Sequence, residues 1–79
     1  MPARRSAEAQ PALGRAIRQI REREGLSQEK LAEKADLHAT WISPIERGRN
    51  NPNFGTVRRI AKALGVTMVE LVALAERLE

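Results

Sequence analysis

The stretch 27–48, which reads SQEKLAEKADLHATWISPIERG, constrains the fold more than any other part of this chain. Ser27 is suited to begin a helix, because its hydroxyl can accept a hydrogen bond from a free backbone N–H of the first turn. The pattern breaks at 36–38, where short polar side chains favour a turn, and Gly48 is suited to end a second helix. Each half has an apolar face at helical spacing, formed by Leu31, Ala32 and Ala35 and then by Trp41, Ile42 and Ile45. The stretch therefore predicts two short helices joined by a tight turn.

A short helix, a tight turn and a second short helix make up the helix-turn-helix layout, in which the second helix enters the major groove of DNA. The charges agree with a polyanionic partner. Lys and Arg number 14 against 10 for Asp and Glu, a net charge of +4. No acidic residue occurs in 47–69, a segment that holds Arg47, Arg49, Arg58, Arg59 and Lys62. A one-sided basic surface indicates nucleic-acid binding, although charge alone leaves an ordinary solvated surface open.

The remaining sequence predicts an all-α fold of five helices. Apolar spacing places them at about 12–24, 28–35, 39–47, 54–64 and 68–78. Asn53 is expected to cap the fourth helix, and Thr67 with Glu70 forms a capping-box pattern before the fifth. Pro44 conflicts with the third helix, because it lacks an N–H and clashes with the carbonyl of Thr40. We therefore expect a bend or a tightened turn at 40–44. Residues 1–11 lack periodicity and are predicted to be a mobile arm before one domain, 12–79.

The run GLSQEKLAEKADLHATWISPIERGRNNPN resembles the DNA-binding core of the Xre/Cro family of bacterial and phage repressors. The resemblance covers about residues 12–72. It implies a repressor-like helix-turn-helix domain and a small cytoplasmic transcription regulator, binding a palindromic operator as a homodimer. The length of the chain is similar to that of short phage regulators and restriction–modification controller proteins. The matching positions are Gly25, Ser27, Gln28, Leu31, Ala32, Ile42, Ser43, 45–48, Pro52, 60–66, Thr67 and Leu71.

The resemblance also implies roles for individual residues. Arg21 and Glu46 would form a partly buried ion pair that ties the first helix to the third. Trp41 would add its indole N–H at the groove edge, or pack in the core. Phosphate contacts, through side chains and loop N–H groups, would come from Gln28, Arg47, Arg49, Asn50 and Asn51. The groove-facing positions would be His38, Ala39, Thr40, Ser43 and Pro44.

The groove-facing side chains offer few strong contacts to bases. Family members often carry a long polar residue at the place of Ala39 or Pro44, whereas this chain has a methyl group and a ring without a donor. Neither makes the bidentate contacts that discriminate guanine or adenine strongly. The Thr40 hydroxyl, methyl packing on thymine and Arg47 on a guanine remain. We therefore expect much of the specificity to come from operator shape and bending.

The fifth helix is apolar over a wide arc. Its predicted main face is formed by Leu71, Val72, Ala75 and Leu78, with Val69 and Leu74 beside it. This width fits either a broad core face or a dimer seam, and a domain this small gains from association. We expect a homodimer with Leu71, Leu74 and Leu78 near the axis, which would hold the recognition helices ~34 Å apart.

Other functional classes have little support in the sequence. The chain has no Cys and one His, His38, so neither a zinc site nor a catalytic triad is indicated, and no cofactor or enzyme activity is expected. No apolar run approaches the ~18 residues of a membrane helix. Two alternatives use the same fold: an antitoxin bound to a toxin protein, and a bridging module that binds the transcription machinery. A membrane-surface helix is weaker, because no helix combines a basic face with bulky aromatic residues.

Overall fold

The computed structural model describes residues 11–79, and within that range it contains only helices and the segments that connect them. The five helices are α1 (Pro11–Arg23), α2 (Gln28–Ala35), α3 (Ile42–Glu46), α4 (Phe54–Leu64) and α5 (Met68–Arg77). A short 3-10 turn, Ala39–Trp41, precedes α3. The predicted all-α fold of five helices is confirmed. The predicted arm lies outside the described residues, apart from Pro11, which begins α1 at a position that proline favours.

Side-chain caps begin three of the helices where the sequence predicted them. The Ser27 hydroxyl accepts from the backbone N–H of Lys30 at 2.9 Å, and the Asn53 side chain caps α4 in the same way. Before α5, the Thr67 hydroxyl accepts from the Glu70 N–H at 3.0 Å, while the Glu70 carboxylate accepts from the Thr67 N–H at 2.8 Å. These caps satisfy N–H groups that a helix leaves without an internal partner, so they fix where each helix starts.

One apolar core joins all five helices. α1 packs against α5 and α3, and α2 packs against α4. The largest side chains that are fully buried are Ile17, Leu31, Ile42, Ile45, Ile60 and Leu71. Because the helix-turn-helix supplies three of these six, its two helices are held to each other and to α1, α4 and α5 by the same core.

Gly14 allows α1 and α3 to approach closely, a feature that the sequence analysis missed. A Cβ atom at Gly14 would lie 2.3 Å from the carbonyl oxygen of Ile45 and 2.6 Å from that of Glu46. Both distances are far shorter than any normal contact, so only glycine fits here. The contact sets the depth at which α3 rests on α1.

The structure resolves the conflict at Pro44 by shortening the third helix. The segment 39–41 forms the 3-10 turn, in which the Trp41 N–H donates to the His38 carbonyl at 3.0 Å, and the α-helix begins only at Ile42. Pro44 is then the third residue of α3. The first turn of a helix has no internal acceptor for its N–H groups, so the missing donor costs nothing there. The predicted tightened turn is confirmed, whereas the predicted α-helix over 39–47 is too long.

The residues predicted to form the dimer seam lie on the face of α5 that points toward the core of the protomer. Leu71 is fully buried, Leu74 is 9% exposed, and Leu78 packs against the core, so all three serve the protomer's own interior. Val69 and Val72 point outward instead, at 77% and 43% exposure. Leu71 and Leu74 therefore offer little surface to a second copy. Helical spacing identifies two apolar faces on α5 but not which of them meets α1.

Candidate nucleic-acid interface

The turn between α2 and α3 is fixed by backbone geometry and by one arginine from α4. Asp36 ends α2 in a left-handed conformation with φ 58°, and the Leu37 N–H donates back to the Ala32 carbonyl at 2.8 Å. The Arg59 guanidinium donates to the carbonyls of Ala35, at 3.1 Å, and Asp36. Arg59 therefore holds the end of α2 and is not a cation without a partner. The sequence pattern did not indicate this role.

Arg21 and Glu46 lie together beneath the recognition region, as the resemblance implied. Arg21 Nε is 2.5 Å from Glu46 Oε2, and Nη2 donates to Oε1 at 3.0 Å. The remaining Nη1 donates to the Leu26 carbonyl at 2.7 Å. Both side chains are buried, and the Glu46 hydrogen bond raises the pKa of Arg21. This bidentate pair fixes the orientation of α3 relative to α1.

Gln28 joins the same network from the first turn of α2. Its side-chain amide donates to Glu46 Oε1 at 3.0 Å, so the buried carboxylate accepts from both Arg21 and Gln28. An amide nitrogen has two hydrogens, and this bond uses one. The side chain is half-buried and held in place at the start of α2 by this bond.

The 3-10 turn carries an exposed polar edge. His38 and the whole of Ala39–Trp41 are exposed, while Ser43 and Pro44, one turn further along, are half-buried. Trp41 is 54% exposed, so it does not pack in the core. The predicted groove-facing residues thus lie within one short segment, 38–44, that is most exposed at its start.

The loop after α3 adds two cations to this surface. Arg47 and Arg49 are exposed, and within residues 11–79 neither guanidinium has a hydrogen-bond or ion-pair partner. Asn50 is half-buried and Asn51 is exposed. Gly48 turns the chain between the two arginines with φ +73°, and a Cβ there would lie 2.8 Å from Pro11.

Three backbone N–H groups at the start of this loop, which were expected to bind phosphates, already have hydrogen-bond acceptors within the protein. The Arg47 N–H donates to the Ser43 carbonyl at 3.0 Å, and the Arg49 N–H donates to the Pro44 carbonyl at 2.8 Å. The Gly48 N–H donates to the Ile45 carbonyl at 3.0 Å. Phosphate contacts from these three positions would therefore come from the arginine side chains and not from N–H groups.

Over the described range 11–79, no three His, Asp or Glu side chains are grouped as metal ligands would be. No helix in that range has the length and apolar character needed to cross a membrane.

Comparison with known proteins identifies relatives among bacterial and phage regulators. A family profile described as a helix-turn-helix domain matches residues 12–75. Control protein C.BamHI of Bacillus amyloliquefaciens is 48% identical over 60 residues, which are 75% of this chain and 74% of that protein. The immunity repressor protein of Bacillus phage phi105 is 40% identical over 60 residues, covering 76% of this chain but only 42% of the repressor.

A solved structure shows the same architecture. The restriction–modification controller protein C.Esp1396I, crystallised as a tetramer with its natural 35-base-pair operator, superposes with a TM-score of 0.81 at 32% identity. The match covers 86% of this chain and 90% of that one. The resemblance drawn from residues 12–72 is confirmed by these relatives. The family profile matches most of the chain, and the structure has the capped α2, the tight turn and the short α3 of the motif. The chain therefore belongs to the helix-turn-helix domain family of transcription regulators.

Proposed function

We propose that this chain is a cytoplasmic transcription regulator that binds a palindromic operator in double-stranded DNA as a homodimer. The observation that carries the proposal is the exposed turn 38–41, beside which lie the guanidinium groups of Arg47 and Arg49, neither of which has a partner within residues 11–79. Helix-turn-helix proteins insert this part of the motif into the major groove. The similarity to C.Esp1396I, whose structure contains its operator, supports the same use of the surface.

Electrostatic contacts to phosphates would supply the sequence-independent part of the affinity. Arg47 and Arg49 end the recognition segment on one side, and Gln28 begins α2 on the other. Such contacts release condensed counterions, so the affinity for any duplex should fall steeply as salt rises. Fluorescence anisotropy of a labelled duplex of random sequence, titrated at several salt concentrations, tests this step. Affinity that is absent at low salt, or that does not change with salt, contradicts it.

Direct reading of bases would be sparse at this surface. The side chains of Ala39 and Pro44 present only apolar atoms. Hydrogen bonds to base edges are then left to His38, Thr40, Ser43 and Arg47, and of these only the Arg47 guanidinium can hold a guanine with two bonds. We infer that operator shape supplies much of the specificity. A full single-base substitution scan of one operator tests this: central positions that no side chain contacts should matter about as much as those under 40–44. Losses confined to the bases under that segment would show that direct readout dominates.

The dimer surface would be an apolar patch formed by Phe54, Val69 and Val72. These side chains are 69%, 77% and 43% exposed, and they surround a shallow groove of about 390 Å³ with Met68, Ala73 and Glu76. Exposed apolar surface of this kind is unfavourable in water and typical of a protein interface. A second copy of the chain is the occupant we propose, because two recognition segments are needed to read a palindrome.

Sedimentation of two variants separates association from DNA contact. Val69→Glu places a carboxylate in the apolar patch and should give a monomer at tens of micromolar with operator affinity much reduced. Ala39→Glu places the same group on the exposed turn and should lose DNA while remaining a dimer. A Val69→Glu protein that still dimerises contradicts the patch assignment, and a wild-type protein that stays monomeric contradicts the dimer.

The same apolar patch also supports a second candidate function. A protein partner, such as a toxin or a component of the transcription machinery, would use an exposed apolar surface in the same way. The two proposals differ in the oligomeric state that they predict for the wild-type protein. A wild-type protein that is a stable dimer, and that becomes a monomer in Val69→Glu, favours the regulator. A wild-type protein that is a monomer, although its DNA-facing segment is intact, favours the partner-binding module.

A further inference from the structure

His38 and Thr40 form a pair at the exposed edge of the recognition segment. His38 Nδ1 lies 3.3 Å from the backbone nitrogen of Thr40 and 2.9 Å from its hydroxyl oxygen. His38 is thereby the cap of the 3-10 turn, and both residues are exposed.

The backbone contact determines which atoms carry hydrogens. A backbone N–H can only donate, so Nδ1 must be the acceptor and must have no hydrogen of its own. In a neutral imidazole the hydrogen is then on Nε2. The Thr40 hydroxyl, at 2.9 Å from the same nitrogen, can then only donate in this contact, and it shares the one Nδ1 lone pair with the longer bond from the backbone N–H. What the Thr40 oxygen presents to its surroundings is therefore lone pairs only.

We propose that His38 is a positioning residue that makes Thr40 an acceptor-only reader of base edges, and so selects a base with an amino group. In the major groove, adenine N6 and cytosine N4 are donors, whereas guanine O6, guanine N7 and thymine O4 are acceptors. A Thr40 oxygen whose hydrogen is donated to His38 can accept from the amino groups of adenine and cytosine. It repels the acceptor atoms of guanine and thymine. This inference rests on the proposed DNA binding and adds to it a specificity that Thr40 alone would not have, because a free hydroxyl donates or accepts.

The pairing itself is measurable without DNA. Long-range ¹⁵N–¹H correlation spectra of the free protein distinguish a protonated from an unprotonated ring nitrogen. At a pH where the ring is neutral, we expect Nδ1 of His38 to be unprotonated and Nε2 to carry the hydrogen. A hydrogen on Nδ1 overturns the inference whatever the protein binds.

Three variants test the consequence for base preference. Thr40→Val, which removes the hydroxyl but keeps the shape, identifies the base pair that Thr40 contacts as the one whose discrimination it abolishes. At that pair, wild type should prefer adenine or cytosine over guanine or thymine by about three- to tenfold, as expected for one hydrogen bond. His38→Ala frees the hydroxyl and should reduce the preference to less than about twofold. His38→Asn keeps a neutral acceptor at the cap and should restore the preference.

The controls separate this role from a structural one. At the base pair assigned to Thr40, His38→Ala in the Thr40→Val background should leave the relative affinities for the four bases unchanged, since the hydroxyl is absent. Circular dichroism melting of each variant checks that the turn is folded. An unchanged preference in His38→Ala, a preferred base that has only acceptors, or no effect of Thr40→Val at any base pair overturns the inference while leaving the proposed function intact. Failure of the wild type to bind DNA overturns both.

Discussion

Removing one member of the Arg21–Glu46 pair is the perturbation whose cost the structure determines best. Arg21→Ala leaves the Glu46 carboxylate, 2% exposed, with a single remaining hydrogen bond from Gln28. Glu46→Ala leaves the Arg21 guanidinium, 10% exposed, with a hydrogen bond to the Leu26 carbonyl and the exposed Glu22 carboxylate 4.0 Å from Nη2. Each variant therefore leaves a buried charge without its buried, hydrogen-bonded partner.

The expected magnitude follows from that burial. Breaking a buried pair by removing one partner typically costs about 3–5 kcal/mol, because the remaining charge stays desolvated. A domain of this size has a total stability of about 5 kcal/mol, so either variant should be largely unfolded near 37 °C. Arg21→Lys should also be destabilising, since an ammonium group cannot make the two parallel bonds to Glu46.

Arginine protonation should not make this contribution depend on pH near neutrality. The pKa of Arg21 is raised in the folded state by the Glu46 hydrogen bond. A raised pKa stabilises the fold fully below the unfolded value and loses that effect only as pH rises through the folded value. Both values lie in the strongly alkaline range, so the Arg21 contribution should be constant between pH 6 and 9.

Equilibrium unfolding in urea, followed by circular dichroism at one fixed protein concentration, measures these costs. Arg18→Ala is the matched control: it is on the same helix, but its pair with Glu22 is exposed on both sides, so it should cost less than about 0.5 kcal/mol. If Arg21→Ala and Glu46→Ala unfold at the same urea concentration as Arg18→Ala, the pair is only a surface contact. The double change Arg21→Met with Glu46→Leu should recover most of the loss, because no unpaired charge remains.

Three further substitutions test other parts of the structure. Arg49→Ala should weaken binding to all duplexes alike and lower the slope of log affinity against log salt by about one unit, since one phosphate contact is lost; a changed sequence preference would mean that Arg49 reads a base. Gly14→Ala should destabilise the fold by about 1–3 kcal/mol in urea, despite its better helix propensity, because the Ile45 carbonyl cannot move away. Arg59→Ala should cost about 1–2 kcal/mol by removing the bonds to the end of α2, and hydrogen exchange should rise first at Ala35; unchanged exchange there would show that Arg59 does not hold the turn.

Features that depend on neighbouring residues in the chain were predicted well. The bounds of α2 and α4 agree with the predicted ranges 28–35 and 54–64, and α1 and α5 differ by a residue at one or both ends. The reason is that caps and apolar spacing act within one or two turns of a helix. Even the difficulty at Pro44 was visible, because the missing N–H is a property of the residue itself.

Features that depend on distant packing were not predictable from spacing. The inward face of α5 is chosen by its contact with α1, so spacing alone did not show that Leu74 is buried. Arg59 looked like one more surface cation, whereas it caps a helix distant in sequence. The role of Gly14 has no local signal, because helices tolerate glycine at a modest cost and only the approach of α3 makes it necessary.

Selection of bound duplexes from a random pool tests the central claim, sequence-specific DNA binding by a symmetric dimer, most directly. If two copies join through the apolar patch and each inserts its 38–44 segment into the major groove, the selected sequences should contain two inverted half-sites. Their centres should be about one helical turn apart, roughly 34 Å. Recovery of no enriched sequence, or of a single half-site without an inverted copy, would contradict the account.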